Sequence, residues 1–434
     1  MTSDVDTLII GAGAAGLAAA AELKRAGRSA LVLEARDRVG GRVWTLREPG
    51  LSVPVELGAE FIHGRPAATF SLLKRAGIAA IPRAGSGWYV ERGELRDTGR
   101  IFAEIRAALR KTGAPKPDVS FETFLNRGLR HLSERARMFA RMRVQGYDAA
   151  DPARASARMI VEEWTGEDEA TTATNSRPRG GYGALLSWLA GSLEGGQVRV
   201  QMQTVVRSVK WKRGAVEVEG EFRGRPFRSS AARAIVTLPL GVLQLAPSAP
   251  GAVRFSPALD QKRLALRGLL PSPVLKVALR YRDAFWEKAG RGRYRDAVFF
   301  RAPGAPIPSF WTARPARAPL LIAWAGGPNA ARLAGTGAPS IIKQAVTGLK
   351  AVFGARAGNG LVAAWVHDWQ EDPYARGAYS YVTVGGAGAR KALAAPLLDT
   401  LYFAGEAADF EGEHGTVAGA LQSGRRAAAL IAAR

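Results

Sequence analysis

An apolar run, Leu8-Ile9-Ile10, leads without a spacer into Gly11-Ala12-Gly13-Ala14-Ala15-Gly16. An alanine-rich stretch of helical character follows and stops at Gly27, and a second apolar run, Ala30 to Leu33, ends in Glu34. Gly11 permits a tight turn, Gly13 lets backbone approach a pyrophosphate, and Gly16 lets the helix lie close on the strand. The helix N-terminus, at Ala14 and Ala15, offers unpaired N–H groups and the positive end of a dipole to phosphates. An acid at position 34 suits a ribose diol and disfavours a 2′-phosphate. Strand, turn, helix, strand and acid in this order predict a Rossmann-like βαβ unit that binds a dinucleotide other than NADP.

A chain of 434 residues exceeds the usual single-core size and is expected to form two domains. The absence of cysteine excludes disulfides, thiolate metal sites, a cysteine nucleophile and a cysteinyl cofactor link. Four histidines argue against a histidine-rich metal centre. No cationic segment followed by an apolar one precedes the first strand, and no long uncharged apolar run follows. A cytoplasmic protein without a membrane span is therefore expected. The formal charge is +23, from 61 Lys+Arg against 38 Asp+Glu. These cations are dispersed rather than gathered in one arm, so a generally basic surface is expected and no specific nucleic-acid partner. A cationic substrate would then need a locally acidic entrance, for which Glu162, Glu163, Glu167, Asp168 and Glu169 are candidates.

No internal repeat or heptad is present. Helices are expected over 68–76, over 100–145 with a break at Gly113 to Pro117, from Ala184 to Leu193, over 341–353 and from Thr416 to Ala433. From Val198 the apolar period changes to two, and strands are expected at 198–202, 216–218, 234–238, 274–281, 320–325, 361–366 and 401–404. A closing strand–loop–helix joins the first sheet only if the nucleotide domain is discontinuous. The expected class is α/β, α+β overall. A discontinuous dinucleotide-binding domain spans 1–82, 195–255 and 386–434. A substrate domain of mixed sheet and helices spans 83–194 and 256–385.

Five segments, in order along the chain, resemble the flavin-containing amine oxidase family of monoamine oxidases, polyamine oxidases and lysine-specific histone demethylases. They are the opening fingerprint continued by Glu34-Ala35-Arg36-Asp37-Arg38-Val39-Gly40-Gly41-Arg42, then Glu56-Leu57-Gly58-Ala59-Glu60-Phe61-Ile62-His63-Gly64, then Val274-Leu275-Lys276-Val277 with Phe285-Trp286. Trp369 with Asp372-Pro373-Tyr374 and Gly377-Ala378-Tyr379-Ser380-Tyr381 forms the fourth. Phe403-Ala404-Gly405-Glu406 with Gly415-Thr416-Val417-Ala418-Gly419-Ala420 forms the fifth.

The resemblance implies FAD, held non-covalently because the family's linking cysteine is missing. It implies that Arg42 contacts the pyrophosphate with its fork of donors and that Gly58, Ala59 and Glu60 lie along the isoalloxazine. Val206 would sit beside the adenine, and Glu406, after Gly405, would reach the ribityl chain or phosphate. Thr416 and Val417 would face the flavin N1–C2=O edge from a helix start. Ala35, Arg36, Gly41, Leu57 and Trp369 are carried over as further cofactor contacts. Lys276 is implied to be catalytic, hydrogen-bonded through a water to flavin N5; on residue type alone a lysine in such a strand is a solvated one. Tyr381 would form one aromatic wall of the amine site. The second wall tyrosine of monoamine oxidases falls at Thr416, so a two-sided cage is not implied. Phe61, His63, Tyr379 and Thr416 complete the expected substrate contacts; His63 and Tyr381 are counted with Lys276 as catalytic, with His63 orienting substrate nitrogen or water, or held by backbone alone.

The implied activity is oxidation of a primary or secondary amine, polyamine-like, to an imine, with O2 reoxidising the flavin to give H2O2. An L-amino-acid oxidase holding its substrate carboxylate on an arginine is the alternative that the net charge favours. A flavin-bearing binding protein of low turnover is another.

Overall fold

The computed structural model describes residues 5–166 and 175–434. Its first sheet has eight strands drawn from three stretches of the chain. Val5–Ile10 lies at the centre, parallel to Ala30–Leu33 on one side and to the second half of Arg225–Val236 on the other. Val198–Gln201 extends the sheet beyond Ala30–Leu33, and Leu401–Phe403 pairs with Arg225–Val236, both in parallel. These strands are buried on both faces, hence their nearly continuous apolar runs. The strands Thr204–Lys212, Ala215–Phe222 and Arg225–Val236 form an antiparallel meander at one side, which explains their period of two.

Helix Ala14–Arg25 and the closing helix Val417–Ala432 pack together on one face of this sheet. Tyr182–Gly191 joins the same core through Leu185, Leu186 and Leu189, although residues up to 194 were expected with the other unit.

A second sheet of seven strands runs in the order Leu361–Asp368, Val274–Tyr281, Leu320–Gly326, Ser309–Thr312, Ala297–Arg301, Ser86–Glu91 and Glu94–Asp97. The expected long arginine-rich helix is three helices: Ile101–Thr112, Phe121–Arg127 and Glu134–Gly146. The first break falls at Gly113, as expected. The second follows Gly128 and is sealed by Ser133, whose Oγ accepts the N–H of Ala136 at 3.1 Å. These helices and Ala157–Gly166 share a core that also takes in Tyr381. Among the described residues, no helix is long and apolar enough to cross a membrane.

Candidate active site

The opening turn is fixed by two glycines. Gly11 has φ +109°, and a Cβ there would lie 2.6 Å from Thr237 Oγ1. A Cβ on Gly16 would lie 1.9 Å from the Gly11 carbonyl oxygen, so strand and helix meet only with glycine at that position. Glu34, 5% exposed, draws the turn onto the second strand: Oε2 accepts the N–H of Ala12 at 2.7 Å and Oε1 that of Arg36 at 2.9 Å. Burial raises its pKa against those two bonds. Each oxygen keeps another lone pair.

From this turn a cavity of about 1170 Å³ runs between the two sheets. Its walls include Gly13, Ala14, Ala15, Glu34, Ala35, Arg36, Gly41, Arg42 and Val206. Gly58, Ala59, Glu60, Trp369, Gly405, Glu406, Thr416 and Val417 line it too, as do Phe61, His63, Lys276, Tyr379 and Tyr381. The cavity thus gathers residues from all five sequence segments. Two expected contacts stand behind its wall. Gly16 serves packing, and Leu57 points into the core while its carbonyl oxygen accepts Trp369 Nε1 at 2.9 Å.

Arg42 donates from Nη1 to Glu406 Oε1 at 2.9 Å and to the Ala378 carbonyl. Glu406 Oε2 accepts from Ser380 Oγ at 2.7 Å, and Arg390 donates to the same Oγ at 2.8 Å. Burial would raise the Glu406 pKa, but the charges of Arg42 and Arg390 hold it below the ordinary value. Arg36 is held by Asp372 at 2.7 Å, and Asp372 also meets His367 Nε2 at 3.2 Å.

Gly58 earns its place differently from the expectation of room for a flat ring. A Cβ there would lie 2.1 Å from the Arg42 carbonyl oxygen, so two backbone segments of the cradle touch at this point. Its own carbonyl oxygen accepts Lys276 Nζ at 3.0 Å.

Lys276 is 1% exposed, in a strand flanked on both sides, opposite Trp324 and His367. The solvated lysine that residue type alone suggests is therefore absent. Nζ donates to Glu60 Oε2 at 2.8 Å, and the ammonium lies 5.3 Å from the centre of the Trp311 ring. Glu60 is a hub rather than a simple ring neighbour. Trp311 Nε1 donates to the same Oε2 at 2.9 Å, and Arg177 Nε to Oε1 at 2.8 Å. Burial opposes its ionisation, but Lys276 and Arg177 outweigh that and bring its pKa down to about 2. Arg177 is fixed in turn by the carbonyls of Thr312 and Arg314 and lies 4.5 Å from the centre of the Phe61 ring.

His63 Nδ1 is 3.2 Å from Asn175 Oδ1, and its ring meets Tyr147 edge-on at 5.3 Å. Burial, with Arg83 and Arg143 nearby, pulls its pKa to about 4, so the imidazole is neutral at physiological pH. Tyr379 Oη donates to the Tyr147 carbonyl at 2.5 Å. Thr416 Oγ1 accepts the N–H of Gly419 at 3.1 Å and donates to the Glu413 carbonyl at 2.6 Å. Its hydroxyl is therefore engaged as a helix cap, and the first N–H groups of Val417–Ala432 lack intrahelical partners.

Sequence reasoning missed Glu60 as a counter-ion, along with Trp311, Thr237, Ser380 and Arg390. Arg177 lies in a stretch that the sequence marks only by its basic character, with Arg179 two residues on. Of the acidic entrance, Glu167, Asp168 and Glu169 lie outside the described residues, and Glu163 is paired with His414 at 3.3 Å.

A family model described as flavin containing amine oxidoreductase matches residues 14–432. Lysine-specific histone demethylase 2 of Homo sapiens is 27% identical over 98% of this chain and 53% of its own length. Probable polyamine oxidase 4 of Arabidopsis thaliana is 24% identical over 96% of this chain and 85% of its own. The chain spans between 30% and 56% of the first demethylase relatives it matches. Among solved structures, wild-type putrescine oxidase bound to putrescine superposes with a TM-score of 0.80 at 24% identity, over 99% of both chains. Cyclohexylamine oxidase from Brevibacterium oxydans gives 0.79 at 23%, again over 99% of both. At these identities the likeness concerns the fold.

Proposed function

The chain belongs to the flavin-containing amine oxidoreductases, and from that premise we propose that it is an FAD-dependent amine oxidase with a non-covalently held cofactor. The first sheet, with its three contributing stretches, is the FAD-binding unit, and the second sheet with the helices around 101–166 forms the substrate side. One observation carries the reading: a single cavity is lined both by the glycine turn with Glu34 and by the buried Lys276–Glu60 pair.

The residues present fit FAD. The turn and the start of Ala14–Arg25 offer N–H groups to a pyrophosphate, Arg42 adds a fixed cation, and Glu34 keeps lone pairs for a ribose. The start of Val417–Ala432 favours negative charge on a nearby ring edge. When bound, the flavin supplies a two-electron acceptor for the carbon beside the amine nitrogen and passes the electrons to O2, yielding H2O2. Hydride leaves a neutral amine far more readily than an ammonium, so the protein must receive the amine deprotonated or strip its proton. Lys276 Nζ, with two of its three donors committed to Gly58 and Glu60, places the third toward water or the amine. Tyr381, Phe61 and Trp369 exclude water around the reacting carbon.

A polyamine-like substrate accords with the putrescine and polyamine oxidases among the relatives. An amino acid accords with the net charge of +23. Anaerobic addition of an amine panel to the purified protein tests the reading. Loss of flavin absorbance with at least one amine, and H2O2 on readmitting air, are expected. A colourless protein, or a flavin that no amine reduces, overturns it.

A further inference from the structure

Beyond Phe61 the cavity wall changes character. Phe299 lies 6.3 Å from Phe61 and 6.1 Å from Trp311, centre to centre. Two guanidinium groups flank this one ring, Arg83 at 4.7 Å and Arg301 at 5.1 Å from its centre, and both arginines line the cavity. Neither takes part in an ion pair among the described residues. Three carboxylates that line the same cavity are paired with other cations: Glu60 with Lys276 and Arg177, Glu406 with Arg42, and Glu163 with His414. Arg83 Nε is buried without a hydrogen-bond partner. Burial, and then the adjacent cations, pull both guanidinium groups down to about 10.

Two like charges held side by side in a partly desolvated wall are costly unless something neutralises them. Guanidinium forks match oxyanions in geometry as well as charge. A substrate that carried only positive charge would meet repulsion here.

We infer that the substrate is an amine bearing an oxyanion, with Arg83 and Arg301 as the pair that binds it and so sets specificity. This rests on the amine-oxidase reading above and names its substrate class. The reacting nitrogen lies at Lys276, and the anion lies one aromatic ring further out, past Phe61. That separation favours an amino group and an anion several bonds apart over the two on one carbon.

The test compares substrates of equal chain length under anaerobic conditions: an ω-amino carboxylate, an aminoalkyl phosphate, a diamine and an unsubstituted alkylamine, with an α-amino acid as a fifth arm. We expect an anionic arm to give the lowest KM for flavin reduction, and the carboxylate and phosphate arms to show which oxyanion is preferred. Arg83→Gln and Arg301→Gln are each expected to lower kcat/KM for that substrate at least tenfold while the alkylamine still reduces the flavin at an unchanged rate. Should either variant fail to fold, the wild type decides by itself: an amine-free alkyl carboxylate or phosphate should compete with the substrate and perturb the flavin spectrum. A diamine preferred over every anionic arm, variants equally active on all substrates, an α-amino acid favoured over the ω-amino carboxylate, or no competition by amine-free anions overturns the inference and leaves the oxidase reading intact. If no amine reduces the flavin, both fall.

Discussion

Lys276 occupies the middle of a strand of eight residues that are buried or half-buried, and Glu60 rather than water neutralises its charge. Removing the ammonium while keeping the length, as in Lys276→Met, is expected to slow flavin reduction on the order of 10²-fold or more. FAD content should be unchanged, and stopped-flow traces showing wild-type reduction would remove Lys276 from the chemistry. Glu60→Gln leaves Lys276 and Arg177 as two buried cations without their shared counter-charge. The expected loss of stability is about 3 kcal/mol or more, the scale for breaking a buried ion pair, and denaturant titration checks it. The motif segment that carries Glu60 is plain in the sequence, yet its role is not. Its partners Arg177 and Trp311 lie more than a hundred residues away and belong to no recognisable pattern, so only the fold brings the three together.

Elements were legible where a local pattern was strong. The opening βαβ unit, the strand at 274–281 and the closing helix each follow from apolar period and punctuation. The hairpin of Ser86–Glu91 and Glu94–Asp97 does not, because its two-residue turn is Arg92-Gly93, at φ +51° and +79°, in place of an asparagine- or aspartate-glycine pair. The contact of the closing helix with Ala14–Arg25 was equally hidden. A Cβ on Gly424 would lie 2.1 Å from the Ala15 carbonyl oxygen, behind the very turn that cradles the cofactor. Gly424→Ala is therefore expected to force the two helices apart, costing about 1–3 kcal/mol and lowering flavin occupancy together with Tm. Thermal melts and the flavin-to-protein absorbance ratio would show it, and an unchanged ratio would separate this packing from cofactor binding. Glu34→Ala frees the N–H groups of Ala12 and Arg36 and is expected to let flavin escape on dialysis; full retention would contradict a ribose contact.

Across the whole molecule the cavity depends on Glu56, which joins the segment before Gly58 to the start of Tyr182–Gly191. Its oxygens accept Thr45 Oγ1 at 2.6 Å and the N–H of Tyr182 at 2.9 Å. Burial raises its pKa from 4.5 to about 7, so between those values the folded state holds a proton that the unfolded state has lost. Stability therefore falls as pH rises through that window, by roughly 3 kcal/mol from this group. Glu56→Gln should flatten the decline, and melts between pH 4.5 and 8 that match the wild type would contradict the assignment. The late strand–loop–helix led to the expectation that the chain returns to the first sheet, where Leu401–Phe403 pairs with Arg225–Val236, whereas the cationic wall was not legible, because Arg83 and Arg301 come from distant stretches of the chain and are adjacent only around Phe299. The most direct measurement is an experimental structure of the coloured protein as isolated. FAD should run from Glu34 along the Arg42–Glu406 pair, with its tricyclic ring beside Lys276 and Gly58; a cavity holding a nicotinamide there, or a flavin ring turned away from Lys276, would contradict the account.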